Sequence, residues 1–227
     1  MNLLELRSRM DAIIARHDLL AHPFYQAWAA GKLRAEDLRR YAREYYHHVA
    51  AFPAYLSALH SRLPDGELRR AVLRNLCEEE ISGTAHSELW LDFAEGLGAD
   101  RASVRSAAPS QATQALVAAF RRLAWQPPLA ALGAFYAYES QVARIAGVKA
   151  QGLRDWYGAD AKTCAYFDLH STMDAHHARV WAEHILDGLS GDESSGEAVF
   201  AAVDEAAAAL WKSLDGIHQT QSQSALA

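Results

Sequence analysis

The sequence predicts an all-α protein, a bundle of seven or eight helices with short connections. Apolar residues recur three and four positions apart along almost the whole chain, which is the spacing of a helix face turned toward a core. The breaks between these periodic segments carry residues that end or begin helices, such as Gly31, Gly98 and Pro127, and none resembles a hairpin turn or a glycine-rich phosphate loop. A chain of 227 residues with 51% hydrophobic and 22% charged side chains can also bury a sizeable core.

The predicted helices follow from their boundaries. In chain order they cover residues 3–20, 24–30, 35–63, 67–97, 111–125, 127–157, 160–189 and 197–217. His22-Pro23 separates the first two, because the residue before a proline disfavours helical geometry. The third begins with Glu36 and Asp37 in its first turn, where the helix dipole favours acidic residues, and it contains Pro53 as an expected kink.

The later boundaries carry the same kind of signal. A polar connection precedes the fifth helix, Pro128 lies in the first turn of the sixth, and residues 190–196 form an expected loop before the last helix. We therefore expect a single helical-bundle domain over residues 1–218 and a disordered tail over residues 219–227.

Composition excludes several classes of function. The 22 basic and 28 acidic side chains leave a net charge of -6, so no basic field is present to capture nucleic acid. No apolar run is long enough for a membrane helix or a signal peptide. Cys77 and Cys164 are too few for a disulfide framework or a cysteine zinc site. We expect a cytoplasmic protein with no nucleic-acid or membrane partner.

Histidines and carboxylates on three predicted helices form a candidate metal site. Its members are Glu79, His86, Glu139, His170, Asp174 and His177. At about 100° per residue, Glu79 and His86 point within roughly 20° of each other and lie on one face of the predicted fourth helix, two turns apart. The three residues of the H-x3-D-x2-H pattern likewise form one stripe. Ionisable groups on an inward face are costly unless they are paired or bind a cation. Three imidazoles and three carboxylates suffice for two ions with open positions, and mixed nitrogen and oxygen donors suit iron or manganese.

Each of these residues has a plainer explanation when it is considered alone. A run of three glutamates at 78–80 usually marks a solvated helix face, and a single histidine is more often hydrogen-bonded than metal-bound. The H-x3-D-x2-H stripe is more specific, because helix packing does not require three ligand types on one face.

The candidate ligands follow in the order E-x6-H, then a glutamate sixty positions after Glu79, then H-x3-D-x2-H. This order resembles that of the heme-oxygenase-like di-metal oxidases, which share the TenA/PqqC-like bundle. Within them it is most similar to the group typified by the Chlamydia protein associating with death domains. The resemblance covers nearly the whole chain, and no matched position departs from the pattern. It implies two metal ions, as an iron pair or as iron with manganese, with O2 as co-substrate and an external reductant. A homodimer is expected for a bundle of this size.

The resemblance also implies further site residues. In that group four further residues surround the metals. They are a tyrosine after an HPF-type motif, a tyrosine on the next helix, a lysine ten residues after the middle metal glutamate and a tyrosine four before the H-x3-D-x2-H motif. In this sequence they are Tyr25, Tyr41, Lys149 and Tyr166. The group is implicated in making para-aminobenzoate, the folate precursor, by a self-sacrificing oxidation. We expect Tyr25 to supply the ring and Lys149 the nitrogen, with one turnover per chain.

Other functions remain open at this stage. The same metals could oxidise an external small molecule, such as a fatty or amino acid, or the protein could bind metal without being an enzyme. Thiaminase-like relatives use a cysteine nucleophile on the helix that here covers residues 127–157, and this segment contains none. Relatives that synthesise pyrroloquinoline quinone need no metal, and that function would leave the histidine and aspartate stripe unexplained.

Overall fold

The computed structural model describes residues 2–191 and 195–224, and within them the backbone forms ten α-helices and no strand. The helices are α1 Leu3–Ile14, α2 Pro23–Ala29, α3 Ala35–His60, α4 Glu67–Glu80, α5 His86–Gly96, α6 Arg101–Ser106, α7 Gln111–Ala124, α8 Pro128–Tyr157, α9 Ala161–Gly191 and α10 Gly196–Ser224. The prediction of an all-α bundle is confirmed. The number of helices exceeds the predicted seven or eight, because the segment predicted over residues 67–97 is two helices and one predicted connection is itself helical.

The segment predicted as one helix over residues 67–97 is two helices, α4 and α5. Gly83 between them has φ of 107°, a left-handed conformation that glycine adopts without strain and that a helix does not allow. The backbone N–H of Ile81 bonds to the carbonyl of Cys77 and closes α4. Glu79 and His86 therefore do not share one helix face, and the inference from their spacing was wrong in its geometry.

Two smaller corrections concern residues 15–21 and 101–106. The predicted first helix ends at Ile14 and continues as two 3-10 turns, Ala15–His17 and Leu19–Ala21, because Asp18 is extended and its side chain accepts a hydrogen bond from the N–H of Leu20. The connection after Gly98 contains the short helix α6, whose first turn is capped by the carboxylate of Asp100.

The last helix is longer than predicted. Ile217 is buried, as expected for its final core contact, but α10 continues through Ser224, so the start of the predicted disordered tail is helical. No proline or glycine follows Gly216 to end the helix earlier. Residues 192–194 of the predicted loop and residues 225–227 of the predicted tail lie outside the described residues.

The long helices α8 and α9 pack against each other at the centre, and α10 covers α8. One continuous cluster of buried apolar side chains extends from Leu6 in α1 to Ile217 in α10. Gly133 lets α8 and α10 approach closely, since a Cβ at this position would lie 2.9 Å from the carbonyl oxygen of Val199. Helix α8 thus lies between α9 and α10. None of the described helices is long and apolar enough to cross a membrane.

Candidate metal centre

The six candidate metal ligands form two clusters inside the bundle. The first comprises Glu79, His86 and His170, and the second comprises Glu139, Asp174 and His177. Within each cluster one ligand atom from every residue lies within 4.8 Å of the others. All six residues are buried. They come from four helices rather than three, because the break after α4 places Glu79 and His86 on different helices.

In the first cluster, three side chains from α4, α5 and α9 converge. Nδ1 of His86 lies 2.9 Å from Oε2 of Glu79, and the rings of His86 and His170 lie 4.6 Å apart between centroids. Nδ1 of His170 donates a hydrogen bond of 2.7 Å to the backbone carbonyl of Tyr166. Nε2 of a neutral His170 then keeps its lone pair, which is the form that binds a metal.

In the second cluster, Nδ1 of His177 lies 3.3 Å from Oε1 of Glu139 and 3.9 Å from Oδ1 of Asp174. The Glu139 carboxylate accepts hydrogen bonds from Asn75 Nδ2 at 2.7 Å and from the indole N–H of Trp181. Nε2 of His177 contacts Oε2 of Glu78 at 2.6 Å. Among the residues that the structure describes, each candidate ligand of this cluster except Asp174 thus has a polar partner outside it.

Burial makes the charged forms of these groups costly. Burial raises the pKa of Glu79, and burial together with the nearby Glu139 carboxylate raises the pKa of Asp174 well above its ordinary value. Burial lowers the pKa of His170 to about 3. For His177, burial lowers the pKa, but Glu139, Asp174 and Glu78 outweigh it and raise the pKa to about 10. A bound cation would therefore stabilise the ionised forms of Glu79, Glu139 and Asp174.

Within the two clusters, polar atoms that lack hydrogen bonds are candidates for binding a cation. Nδ1 of His86, Nδ1 of His177 and Oδ2 of Asp174 are buried and make no hydrogen bond to any described residue. An unsatisfied buried polar group costs about 1–3 kcal/mol, and a bound ion would remove that cost. His86 and Glu79 lie side by side without hydrogen-bond geometry, as two ligands of one ion do. The two mixed nitrogen and oxygen clusters therefore fit a pair of iron or manganese ions.

The predicted tyrosines and lysine also come together beside the clusters. The hydroxyls of Tyr25 and Tyr41 lie 2.9 Å apart, and Nζ of Lys149 donates a hydrogen bond of 2.6 Å to the Tyr41 hydroxyl. Nζ of Lys149 lies 4.3 Å from the centroid of the Tyr25 ring. Lys149 is only 6% exposed, and burial lowers its pKa well below the ordinary value. Burial therefore favours the neutral amine of this lysine over its charged form.

Tyr166 connects this group to the first cluster. Its ring stacks on the ring of His170, with the centroids 4.0 Å apart and the planes inclined by 26°. Tyr25, Lys149 and Tyr166 line the same small cavity of about 10 Å³ in the centre of the bundle. All ten predicted site residues are thus buried in one region of the interior.

Sequence reasoning did not select several residues of this region. Tyr45, Trp90 and Tyr138 line the same cavity, and Asn75 and Glu78 contact ligands of the second cluster. Signals for some of them were present, since Tyr45 lies one turn after Tyr41 and Tyr138 directly precedes Glu139. Nothing in the pattern distinguished them from ordinary aromatic core residues or from a solvated glutamate.

Known proteins resemble this chain in sequence and in fold. Residues 39–211 match the model of a family described as iron-containing redox enzymes. A protein of Nitrosomonas europaea named 4-aminobenzoate synthase is 42% identical over 94% of this chain and 91% of that protein. A protein of the same name from Chlamydia pneumoniae is 41% identical over 90% of this chain and 91% of that protein. A crystal structure from Shewanella denitrificans, described as a domain with a heme oxygenase-like fold, is 21% identical with a TM-score of 0.79, covering 98% of this chain and 94% of that one. The predicted heme-oxygenase-like fold is confirmed.

Proposed function

We propose that this chain, which belongs to the family of iron-containing redox enzymes, is a 4-aminobenzoate synthase. In this proposal the protein builds its product from its own side chains. The observation that carries the proposal is the position of the Lys149 amine, 4.3 Å from the centroid of the Tyr25 ring and buried beside two clusters of metal-binding residues. An amine and a phenol ring are the two parts from which 4-aminobenzoate can be assembled.

The two clusters are proposed to hold two ions, as an iron pair or as iron with manganese. Glu79, His86 and His170 would bind one ion, and Glu139, Asp174 and His177 would bind the other. When bound, the ions would supply redox chemistry toward the tyrosine, with O2 as co-substrate and an external reductant as the source of electrons.

Tyr25 already contains most of the carbon skeleton of the product. Cleavage of its Cα–Cβ bond would leave a glycine-like residue in the chain and release the ring with Cβ, which becomes the carboxyl carbon. The phenol oxygen lies para to Cβ and must be exchanged for nitrogen. Tyr25 is buried, so its ring is shielded from bulk water during these changes.

Lys149 is suited to supply the nitrogen. Its lowered pKa favours the neutral amine, whose lone pair on Nζ can attack an oxidised ring as a nucleophile. The phenol oxygen would leave as water, and Nζ would pass to the product by oxidative cleavage of its bond to Cε of the lysine. O2, with the external reductant, would supply the oxidation of Cε and of the Cβ that becomes the carboxyl carbon. Nζ contacts Tyr41, and Tyr41 in turn contacts the hydroxyl of Tyr25. Tyr41 can therefore hold the lysine near the ring and pass a proton between the amine and the phenol oxygen. Tyr166, stacked on His170, lies between these groups and the first cluster.

The size of the interior cavity favours this function over oxidation of an external substrate. The cavity lined by Tyr25, Lys149 and Tyr166 measures about 10 Å³, and the cleft that reaches His177 measures about 40 Å³. Sites for small-molecule ligands typically measure about 300–1,000 Å³. A substrate that is already part of the chain needs no such space.

The decisive experiment is mass spectrometry of the protein and its peptides after the reduced, metal-loaded protein is exposed to O2. We expect at most one molecule of 4-aminobenzoate per chain, with modified residues at positions 25 and 149. Label in the protein's tyrosines should pass to the product without any added substrate. Many turnovers on an added molecule, with Tyr25 intact, would instead identify an external-substrate oxidase.

We propose that the protein acts in the cytoplasm as a homodimer. Both cysteines are free thiols in the structure, which suits the reducing cytoplasm expected from the sequence. A homodimer formed through helix faces is the proposed assembly, and sedimentation of the purified chain tests it.

A further inference from the structure

Helix α4 places polar side chains against both clusters, although only one of them is a candidate ligand. Glu79 belongs to the first cluster. Asn75, one turn earlier, donates a hydrogen bond to Oε1 of Glu139 in the second cluster. Glu78 contacts His177, also in the second cluster. Residues on one short stretch of α4 therefore hold two of the three ligands of the second cluster from outside.

The contact between Glu78 and His177 determines which ring nitrogen faces the cluster. Oε2 of Glu78 lies 2.6 Å from Nε2 of His177, and because an ionised carboxylate only accepts hydrogen bonds, Nε2 is the donor. The other nitrogen, Nδ1, is buried without a hydrogen bond and lies 3.3 Å from Oε1 of Glu139. Glu78 thus fixes the ring orientation that turns Nδ1 toward Glu139, and it would keep the remaining proton on Nε2 when a bound metal displaces the proton from Nδ1.

The first cluster uses a different arrangement. Nδ1 of His170 donates to the carbonyl of Tyr166, one turn earlier on the same helix, so the backbone of α9 orients this ring. The group that orients His177 is instead a side chain on another helix, and that side chain is 34% exposed. Asn75, Glu78 and His177 line a small cleft between α4 and α9. Glu78 therefore lies between the second cluster and solvent.

We propose that Glu78 is a positioning residue for the second metal ion, acting through His177. The inference rests on the proposed function, because it assumes that the second cluster binds metal. Loss of a carboxylate that orients a metal-binding histidine typically lowers metal affinity by about 10- to 100-fold. We expect a decrease of that size at the second cluster after removal of Glu78, and no change at the first.

The test is an anaerobic Mn(II) titration of the metal-free protein, with free Mn(II) measured by electron paramagnetic resonance. The variants are Glu78→Ala, Glu78→Gln and the matched control Glu80→Gln, which removes an equal charge from an exposed position two residues away. Glu78→Ala should weaken one of two binding steps by about 10- to 100-fold. Glu78→Gln should weaken it less, since an amide oxygen still accepts the hydrogen bond from Nε2. Glu80→Gln should bind like the wild type.

A second set of variants identifies which cluster is affected. In an Asp174→Ala background only the first cluster remains complete, and adding Glu78→Ala should leave Mn(II) affinity unchanged. In a His86→Ala background the same addition should lower the affinity. Circular dichroism verifies that each variant is folded.

The outcomes separate this inference from the proposed function. Wild-type affinity at both sites in folded Glu78→Ala, or an equal loss at both sites, would overturn the role of Glu78 and leave the two-metal proposal intact. If Glu80→Gln lost as much Mn(II) affinity as Glu78→Ala, the role of Glu78 would also be overturned, because the loss would be a general effect of charge. Fewer than two sites in the wild type would contradict the proposed metal pair itself, and with it this inference.

Discussion

Nζ of Lys149 lies against the face of the Tyr25 ring, 4.3 Å from its centroid, while its hydrogen bond goes to the hydroxyl of Tyr41. The amine is therefore beside the ring carbons and is held there by a third residue. Because both side chains are buried, no solvent nucleophile has comparable access to the ring. This relationship leads to the first two predictions.

Replacing Lys149 by Arg should reduce 4-aminobenzoate to background while two metal ions still bind. Arginine keeps a positive charge, but its guanidinium stays protonated and offers no free amine lone pair. The measurements are product per chain by liquid chromatography and metal content by elemental analysis. Lys162→Arg is the matched control, because Lys162 is an exposed lysine paired with Glu95 and should form product normally. Normal product from Lys149→Arg would exclude this lysine as the nitrogen donor.

Replacing Tyr25 by Phe should also abolish product, because a ring without its phenol oxygen is harder to oxidise and has no para oxygen to exchange. The free energy of unfolding should fall by only about 1 kcal/mol, since one buried hydrogen bond, to Tyr41, is lost. Product assays and urea denaturation measure the two effects. Undiminished product would show that another tyrosine is the donor, with Tyr41 the next candidate.

His170→Ala and Glu139→Ala should each remove metal from one cluster and abolish product while the bundle stays folded. Apolar packing of the helices supplies most of the stability, and neither side chain contributes to that packing as a large apolar group. Elemental analysis after anaerobic loading with iron, together with circular dichroism, tests this. His176→Ala is the control, since His176 is exposed beside His177 and should leave metal content unchanged. Two bound ions in folded Glu139→Ala would contradict the assignment of that ligand.

The stability of the protein should depend on pH through Lys149. Burial lowers its pKa in the folded state, whereas the unfolded chain has the ordinary value of about 10.4. Between these values the unfolded state binds the additional proton, so this lysine makes the free energy of unfolding rise with pH. Lys149→Met removes the effect and should be more stable than the wild type at neutral pH.

The difference between the two proteins should shrink by up to about 1.4 kcal/mol per pH unit as pH rises from the lowered pKa of folded Lys149 toward 10. Urea denaturation of both proteins at several pH values measures it, and contributions from other titrating groups cancel in the difference. A difference that does not change with pH would mean that Lys149 is protonated in the folded protein.

The two clusters should differ in metal preference. The first has two imidazoles and one carboxylate, and the second has one imidazole and two carboxylates. Imidazole suits iron, whereas carboxylate oxygen suits manganese. In crystals of protein loaded with both metals, anomalous scattering should place manganese mainly at Glu139, Asp174 and His177. Manganese concentrated at the first cluster would show that the donor set does not control the selection.

Much of the site could be predicted from local spacing. His170, Asp174 and His177 lie on one uninterrupted helix, so the helical repeat alone places them on one stripe. For Glu79 and His86 the same argument failed, because Gly83 breaks the helix between them. They nevertheless meet at 2.9 Å, since the turn brings the start of α5 back beside the end of α4.

The helical fold class and the inward stripe of α9 follow from the residue pattern, and the candidate site residues follow from the resemblance. Their grouping follows from the tertiary structure. In the tertiary structure His170 belongs to one cluster, and Asp174 and His177 belong to the other. Lys149 lies against the Tyr25 ring. Of the three consecutive glutamates at 78–80, Glu78 is the one that contacts His177. The physical reason is that helical periodicity fixes directions within one helix. Distances between helices depend instead on packing along their whole length, as where Gly133 leaves room for the backbone carbonyl of Val199.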